Sequence, residues 1–100
     1  MYAVIFTATV GDRDERYGDM AARLRDLAMT EFGCIDFVSA TEGEQEIAIS
    51  YWPDEASIIA WKQQAEHRVA QQLGKDGWYK HYKVEVVKIL RAYSGNSPKP

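Results

Sequence analysis

The stretch CIDFVSATEGEQEIAISYW, residues 34–52, decides the fold because it predicts two antiparallel strands joined by a tight turn. Residues 34–41 and 45–52 alternate their side chains in the two-residue period of a strand. Glu42-Gly43-Glu44 between them is typical of a hairpin turn. This hairpin is therefore the predicted centre of the domain.

The segments on either side of the hairpin complete a β-α-β-β-α-β order. Gly33 is a favourable residue just past the end of a first helix, and Gly74 is expected to stop a second helix that Asp54 caps. The predicted elements outside the hairpin are a strand at 2–10, a helix from Asp12 to near Phe32, a helix from Asp54 to Leu73 and a strand at 82–93.

This order predicts an α+β domain with a ferredoxin-like antiparallel sheet, in which right-handed crossovers place both helices on one face. The other face is expected to be polar where it meets water. The strands are instead apolar on both faces: in the last one, Val84 and Val86 alternate with Val87 and Ile89. We therefore expect a homodimer that buries the second face, because an exposed apolar sheet promotes aggregation.

Composition indicates one domain, which we place at residues 1–93, with a disordered tail at 94–100. A net charge of −3, with basic and acidic residues interleaved, argues against a nucleic-acid partner. No apolar run approaches the roughly 20 residues that span a bilayer, so no membrane partner is expected. We interpret the lone Cys34 as a buried apolar residue, and with no signal peptide we expect a cytoplasmic protein.

The sequence contains no metal or nucleotide signature, so no metal site is predicted. Aromatic and histidine side chains concentrate instead in the second half of the chain. Two interpretations are open: core and dimer packing, or a pocket between helices and sheet for a flat aromatic ligand. The residues concerned are Tyr51, Trp52, Trp61, His67, Trp78, Tyr79, His81 and Tyr82.

If the pocket exists, Trp61 and His67 are its candidate catalytic residues. An imidazole titrates near neutral pH and therefore suits a general base, although a histidine on a helix surface is the alternative for His67. Aromatic side chains stack on a flat ligand, and the polar groups at their ends orient it by hydrogen bonds. The candidate substrate-binding residues are Tyr51, Trp78, Tyr79 and Tyr82.

Several motifs form a pattern that extends over residues 2–93. They are Ser50-Tyr51-Trp52-Pro53-Asp54-Glu55, Ala60-Trp61-Lys62, Glu66-His67, Ala70-Gln71, Gly74, Trp78-Tyr79, Tyr82 and the valine-rich last strand. Together with the β-α-β-β-α-β order, they resemble the antibiotic biosynthesis monooxygenase (ABM) family, and in particular its uncharacterised bacterial branch.

The resemblance implies a dimeric α/β barrel, in which two ferredoxin-like sheets close face to face and residues 82–93 reach across to the partner. It implies a pocket on the helix side of each sheet. It also implies a cofactor-independent monooxygenase for a small aromatic or quinol-like substrate. In that chemistry a base deprotonates the substrate, whose anion then reduces O2 without a metal.

Two alternatives stay open, because the family also includes haem-degrading oxygenases and proteins with no known activity. Haem-degrading members use an Asn on the first strand, a Trp on the second helix and an axial His further along that helix. Trp61 matches the Trp, whereas Phe6 or Thr7 stands at the Asn position and Gln71 near the His position. The other alternative is a non-enzymatic dimer that binds a small hydrophobic ligand.

Overall fold

The computed structural model describes the backbone of residues 1–11, 15–76 and 79–96, and the side chains of these residues except 15–17 and 66–76. The α+β, ferredoxin-like β-α-β-β-α-β order is confirmed. Its elements are β1 (Tyr2–Val10), α1 (Glu15–Glu31), β2 (Asp36–Glu42), β3 (Gln45–Trp52), α2 (Glu55–Asp76) and β4 (Tyr79–Lys88).

The strands form one antiparallel sheet in the order β2-β3-β1-β4. Strand β1 lies inside the sheet and pairs with both β3 and β4, so that Tyr2 is opposite Trp52 on one side and Lys88 on the other. Strands β2 and β4 are the two edges. The first strand of the chain is thus hydrogen-bonded to segments from the middle and the end of the sequence.

Both helices cover the same face of this sheet, which we call the helix face. Val4 of β1 and Trp52 of β3 point to that face, and they form the buried core with Ala28 of α1 and Ile58 of α2. Trp52 is fully buried, and its indole N–H donates to the Ser50 hydroxyl over 2.8 Å. The pairing satisfies two polar groups that would otherwise be costly to bury.

The opposite face, which we call the open face, has no helix against it. Its side chains point the other way along each strand, as the alternation of strands requires. Val38, Ile47 and Val87 lie there and are 48%, 40% and 38% exposed in the single chain. The sheet is therefore apolar on both faces, as the sequence pattern predicts.

The helix ends follow the predicted local signals. Gly33 adopts the left-handed conformation with φ of +80°, and the Cys34 N–H then returns to the Ala28 carbonyl. At the start of α2, the Asp54 carboxylate accepts a hydrogen bond from the Ser57 N–H over 2.8 Å. This bond lowers the pKa of Asp54. The predicted capping residue Asp12 lies outside the described residues.

Several predicted boundaries are wrong. The strand predicted at 34–41 spans Asp36–Glu42. Helix α2 does not stop at Gly74 but continues to Asp76, because a single glycine weakens a helix by only about 1 kcal/mol. The last strand spans Tyr79–Lys88 rather than 82–93. Its pairing with β1 extends to Tyr2 opposite Lys88, and the Ile89 N–H then bonds to the Met1 carbonyl over 3.0 Å.

Cys34 lies in the core, as expected, and is 6% exposed. Its thiol donates to the Asp36 carbonyl over 3.1 Å. Burial disfavours the thiolate and raises the pKa of Cys34 above the ordinary value. The environment therefore suppresses the nucleophilic form.

The contrast between Gly18 and Gly33 gives a matched test of the fold. Neither glycine has a neighbour that an added Cβ would meet, but only Gly33 has a positive φ. We expect Gly33→Ala to lower the free energy of unfolding by about 1 kcal/mol through backbone strain. Gly18→Ala, inside α1, is expected to raise it by about 0.5–1 kcal/mol. Urea denaturation measures both, and equal effects would contradict the assigned helix end.

The position of Cys34 predicts slow alkylation. At pH 8 the folded protein is expected to react with iodoacetamide at least about tenfold more slowly than the chain unfolded in guanidinium, because the thiol is buried and its pKa is raised. Mass spectrometry of timed samples gives the rate. Equal rates in the two states would show that the thiol is exposed.

Candidate functional site

Three aromatic rings form what we call the tryptophan cluster: Phe37, Trp52 and Trp61. The Trp61 ring centroid lies 5.5 Å from that of Trp52 and 6.2 Å from that of Phe37. The Trp61 indole N–H donates to the Leu24 carbonyl of α1 over 3.3 Å. Trp61 is thus fixed between both helices and the sheet, while part of its surface stays accessible.

A second group on the helix face, which we call the tyrosine cluster, consists of Phe6, Tyr79 and Tyr82. The Phe6 ring stacks on Tyr82 at 5.9 Å and meets Tyr79 edge-on at 5.4 Å. The two tyrosine rings are 6.0 Å apart. These distances are in the favourable range for aromatic pairs, and Tyr82 remains 53% exposed.

An irregularity in the sheet brings the two tyrosines together. Tyr79 and Tyr82 are three residues apart, and such residues point to opposite faces of a regular strand. The register of β4 against β1 shifts between Thr9 and Val10, so that Tyr82 is opposite Ala8 while Tyr79 is opposite Val10. The shift turns both rings toward the helix face. Bulges next to active sites commonly redirect a side chain in this way.

Small side chains separate the two clusters along the sheet. In the row beside Phe6, β3 contributes Ala48 and β2 contributes Ser39. The next row toward the tyrosine cluster places Glu46 of β3 on the same face as Tyr82. The helix face therefore has aromatic walls at both ends, small residues between them and a carboxylate at one end.

The structure brings some predicted site residues together and separates others. Trp61 lies in the tryptophan cluster, and Tyr79 and Tyr82 lie in the tyrosine cluster on the same face. Tyr51 is on the open face, opposite Ala3, and so does not join them. The side chain of His67 on α2, and Trp78 altogether, lie outside the described residues.

Three helix-face residues were not predicted to belong to the site: Phe6, Phe37 and Glu46. The alternation of β1 already placed Phe6 on one face with Val4. It gave no sign of the register shift that makes Tyr79 and Tyr82 its neighbours. Glu46 was not singled out, because nothing in its spacing showed which face of the sheet the helices cover.

The open face carries a separate polar group at the end of the sheet. The Thr9 hydroxyl lies 3.2 Å from the His81 Nε2 atom and accepts a hydrogen bond from the Gln45 amide over 3.2 Å. These residues line a shallow depression of about 250 Å³, together with Lys83. His81 therefore lies on the opposite face from Trp61.

Neither the histidine nor the cysteine side chain that the structure describes is placed to bind haem iron beside Trp61. Haem iron commonly takes an imidazole ligand, but His81 is on the open face and the Cys34 thiol is buried against the Asp36 carbonyl. Within the described part of the chain, no group of three His, Cys, Asp or Glu residues is placed to hold a metal ion. No helix in that part is long and apolar enough to cross a membrane.

Comparison of the sequence with protein-family models gives no match. Among curated proteins, the chain is 35% identical over 91 residues to the uncharacterised protein YqjZ of Bacillus subtilis, covering 90% of this chain and 80% of YqjZ. It is 29% identical over 103 residues to jasmonate monooxygenase ABM of Pyricularia oryzae. That match covers 99% of this chain but only 48% of the fungal protein, about half its length.

Solved structures show the same fold at low sequence identity. Rv0793 of Mycobacterium tuberculosis superposes with a TM-score of 0.76 at 14% identity, covering 93% of this chain and 98% of that one. A mutant form of SnoaB, a cofactor-independent oxygenase from Streptomyces nogalater, superposes with a TM-score of 0.71 at 12% identity. There the coverage is 91% of this chain and 94% of SnoaB.

The sequence relation extends over nearly the whole chain, and the fold, with two helices on one face of a β2-β3-β1-β4 sheet, agrees with it. The chain belongs to the antibiotic biosynthesis monooxygenase family.

Proposed function

We propose that this protein is a cofactor-independent monooxygenase that acts on a small aromatic or quinol-like substrate and works as a homodimer. The observation that carries the proposal is the arrangement of the helix face, where the tryptophan and tyrosine clusters stand at either side of the small residues Ala48 and Ser39. The names of two relatives, a jasmonate monooxygenase and a cofactor-independent oxygenase, support the same class of reaction.

A flat apolar ring suits this surface. Aromatic side chains provide large apolar area and favourable offset or edge contacts to a ring. Trp61 forms one wall, and Phe6 with Tyr82 forms the other. The tyrosine hydroxyls supply a few directed hydrogen bonds, which is the usual composition of a small-molecule site.

The proposed reaction needs a base and a substrate that is easily oxidised. The base removes a proton from a phenol or an activated methylene group, and the resulting anion transfers one electron to O2. The two radicals combine to a peroxide anion, which takes the proton back from the base to become a hydroperoxide. The hydroperoxide then loses water to leave a carbonyl group. One oxygen atom thus enters the product, the other leaves as water, and the substrate supplies the electrons.

Three side chains are candidates for the proton acceptor. His67 is the candidate from the sequence. Tyr82, predicted there as a substrate-binding residue, and Glu46 are added by their places in the same row of the helix face. A general base contributes about 10²–10⁴-fold to such a step. Trp61 positions the aromatic ring of the substrate and does not take part in the proton transfer.

The open face supports the homodimer. Val38, Ile47 and Val87 form an exposed apolar surface in the single chain, and a second copy would remove it from water.

An oxygen electrode tests the proposed activity. With an anthrone or a substituted hydroquinone as substrate and no added cofactor or metal, we expect protein-dependent uptake of O2. The uptake is expected to persist with EDTA, because the substrate itself reduces O2. Quenching of tryptophan fluorescence by these compounds without O2 uptake would identify a ligand-binding protein instead. The absence of both quenching and O2 uptake would contradict the proposed site.

Variants then identify the proton acceptor. We expect His67→Ala, Glu46→Gln or Tyr82→Phe to lower kcat by about 100-fold for the residue that serves as the base. Tyr93→Phe is the matched control for Tyr82→Phe, since Tyr93 is 87% exposed beyond the last strand. Full activity in all three variants would exclude these residues as the base.

A further inference from the structure

The register shift in β4 leaves one residue of that strand without a partner on β1. His81 is opposite Thr9 and Tyr79 is opposite Val10, so Lys80 between them pairs with no residue of β1. An extra residue of this kind interrupts the ladder and bends the strand locally. The direction of the Tyr79 ring therefore depends on what holds Lys80.

The backbone of β1 gives the start of β4 little support. Tyr79 is the first residue of β4, and the end of a strand opens at a low cost in free energy. On the strand opposite, the Val10 N–H is already donated to the Glu44 carbonyl over 2.8 Å. Side-chain contacts are therefore needed to hold the start of β4 in place.

Glu44, in the turn between β2 and β3, contacts both of the strands concerned. Its carbonyl oxygen accepts the hydrogen bond from Val10 of β1. Its carboxylate lies 3.2 Å from the Lys80 ammonium of β4. One residue thus connects β1 and β4 at the point where the register shifts.

On these grounds we infer that Glu44 and Lys80 are positioning residues for Tyr79. Their ion pair holds the irregular start of β4, and so keeps the Tyr79 ring edge-on to Phe6 at 5.4 Å. Where it concerns the substrate, the inference rests on the proposed function, in which Tyr79 helps to form the tyrosine wall of the site.

The ion pair is exposed, so its expected effect is small and local. Both side chains are more than half exposed, and water and salt screen such pairs. A small effect is sufficient here, because it acts on a strand end that opens readily and not on the whole fold. Tyr82 is opposite Ala8 in the regular part of the ladder and is expected to keep its place without the pair.

Ring contacts measured by NMR test the positioning without any substrate. The edge-on contact of Phe6 with Tyr79 is expected to give an NOE between their ring protons. The stacked contact of Phe6 with Tyr82 gives an NOE that serves as the internal reference. Loss of the ion pair is expected to weaken the first NOE and to leave the second unchanged.

Variants of the full chain remove the ion pair from either side. We expect Glu44→Gln and Lys80→Met each to weaken the NOE to Tyr79. The double variant is expected to add nothing further, since either change alone already breaks the pair. Glu85→Gln is the matched control and is expected to leave both NOEs unchanged, because it removes a similarly exposed ion pair with Lys83 on the same strand.

Steady-state kinetics give a second readout. With an anthrone or a substituted hydroquinone, we expect Glu44→Gln and Lys80→Met to raise KM about threefold, the size of effect typical of one exposed ion pair. The value of kcat is expected to stay unchanged, because the ring of the substrate loses part of one wall while the proton acceptor keeps its place. A general loss of folded protein would lower kcat instead.

The two readouts separate the inference from the proposed function. Unchanged NOEs in both Glu44→Gln and Lys80→Met would overturn the inference and leave the proposed monooxygenase standing. A weakened NOE with an unchanged KM would also overturn it, because Tyr79 would then not contact the substrate. If the NOE weakens and even the unaltered protein takes up no O2, the proposed function fails while the positioning of Tyr79 by the ion pair is supported.

Discussion

Strand β1 hydrogen-bonds to β3 on one side and to β4 on the other, so its nine residues hold the sheet together. A strand in this position is buried at both edges, and its apolar side chains point alternately to both faces. On one face, α1 and α2 cover Val4 and Trp52, whereas Val84 and Val86 of β4 remain 40% and 45% exposed there. Among the residues that the structure describes, none covers the apolar side chains of the other face, and their exposure is the reason to expect a partner.

The same central strand organises the candidate site. Val4 belongs to the core with Trp52, and Phe6, two residues on, stacks against Tyr82. The alternation of one strand therefore connects the two aromatic clusters. The register shift beside Val10 adds Tyr79 to the second cluster. The proposed chemistry on the helix face and the proposed association on the open face are thus separated by the thickness of a single sheet.

Local signals predicted most of the fold. The hairpin strand predicted at 45–52 matches β3. The helix end at Gly33 was predictable because glycine is the usual residue in a left-handed helix terminus. The positive φ of Gly33 confirms it. The end of the last strand was not predictable from its own residues, since its pairing with β1 determines it. Gly74 failed as a boundary because a single glycine is only a weak local signal for the end of a helix.

The site was predictable only in part. Aromatic content pointed to Trp61, Tyr79 and Tyr82, which the helix face brings into two clusters. The face of each strand residue depends on register, which the sequence alone does not contain. Tyr51 was grouped with Trp61 on aromatic character, yet the pairing with Ala3 turns it to the open face. Glu46 was not predicted as a site residue because the sequence does not show that its side chain lies on the face covered by the helices.

Burial of both faces of the sheet can be measured directly with a soluble, neutral gadolinium chelate in methyl NMR. In the single chain, Val38, Ile47 and Val87 on the open face are about as exposed as Met29 on the outside of α1, and Ile59 on α2 is more exposed. If a second copy covers the open face, the chelate should broaden the methyl signals of Ile59 and Met29 but leave those of Val38, Ile47 and Val87 sharp. Equal broadening of all five would show that the open face meets water, and would contradict a sheet buried on both sides.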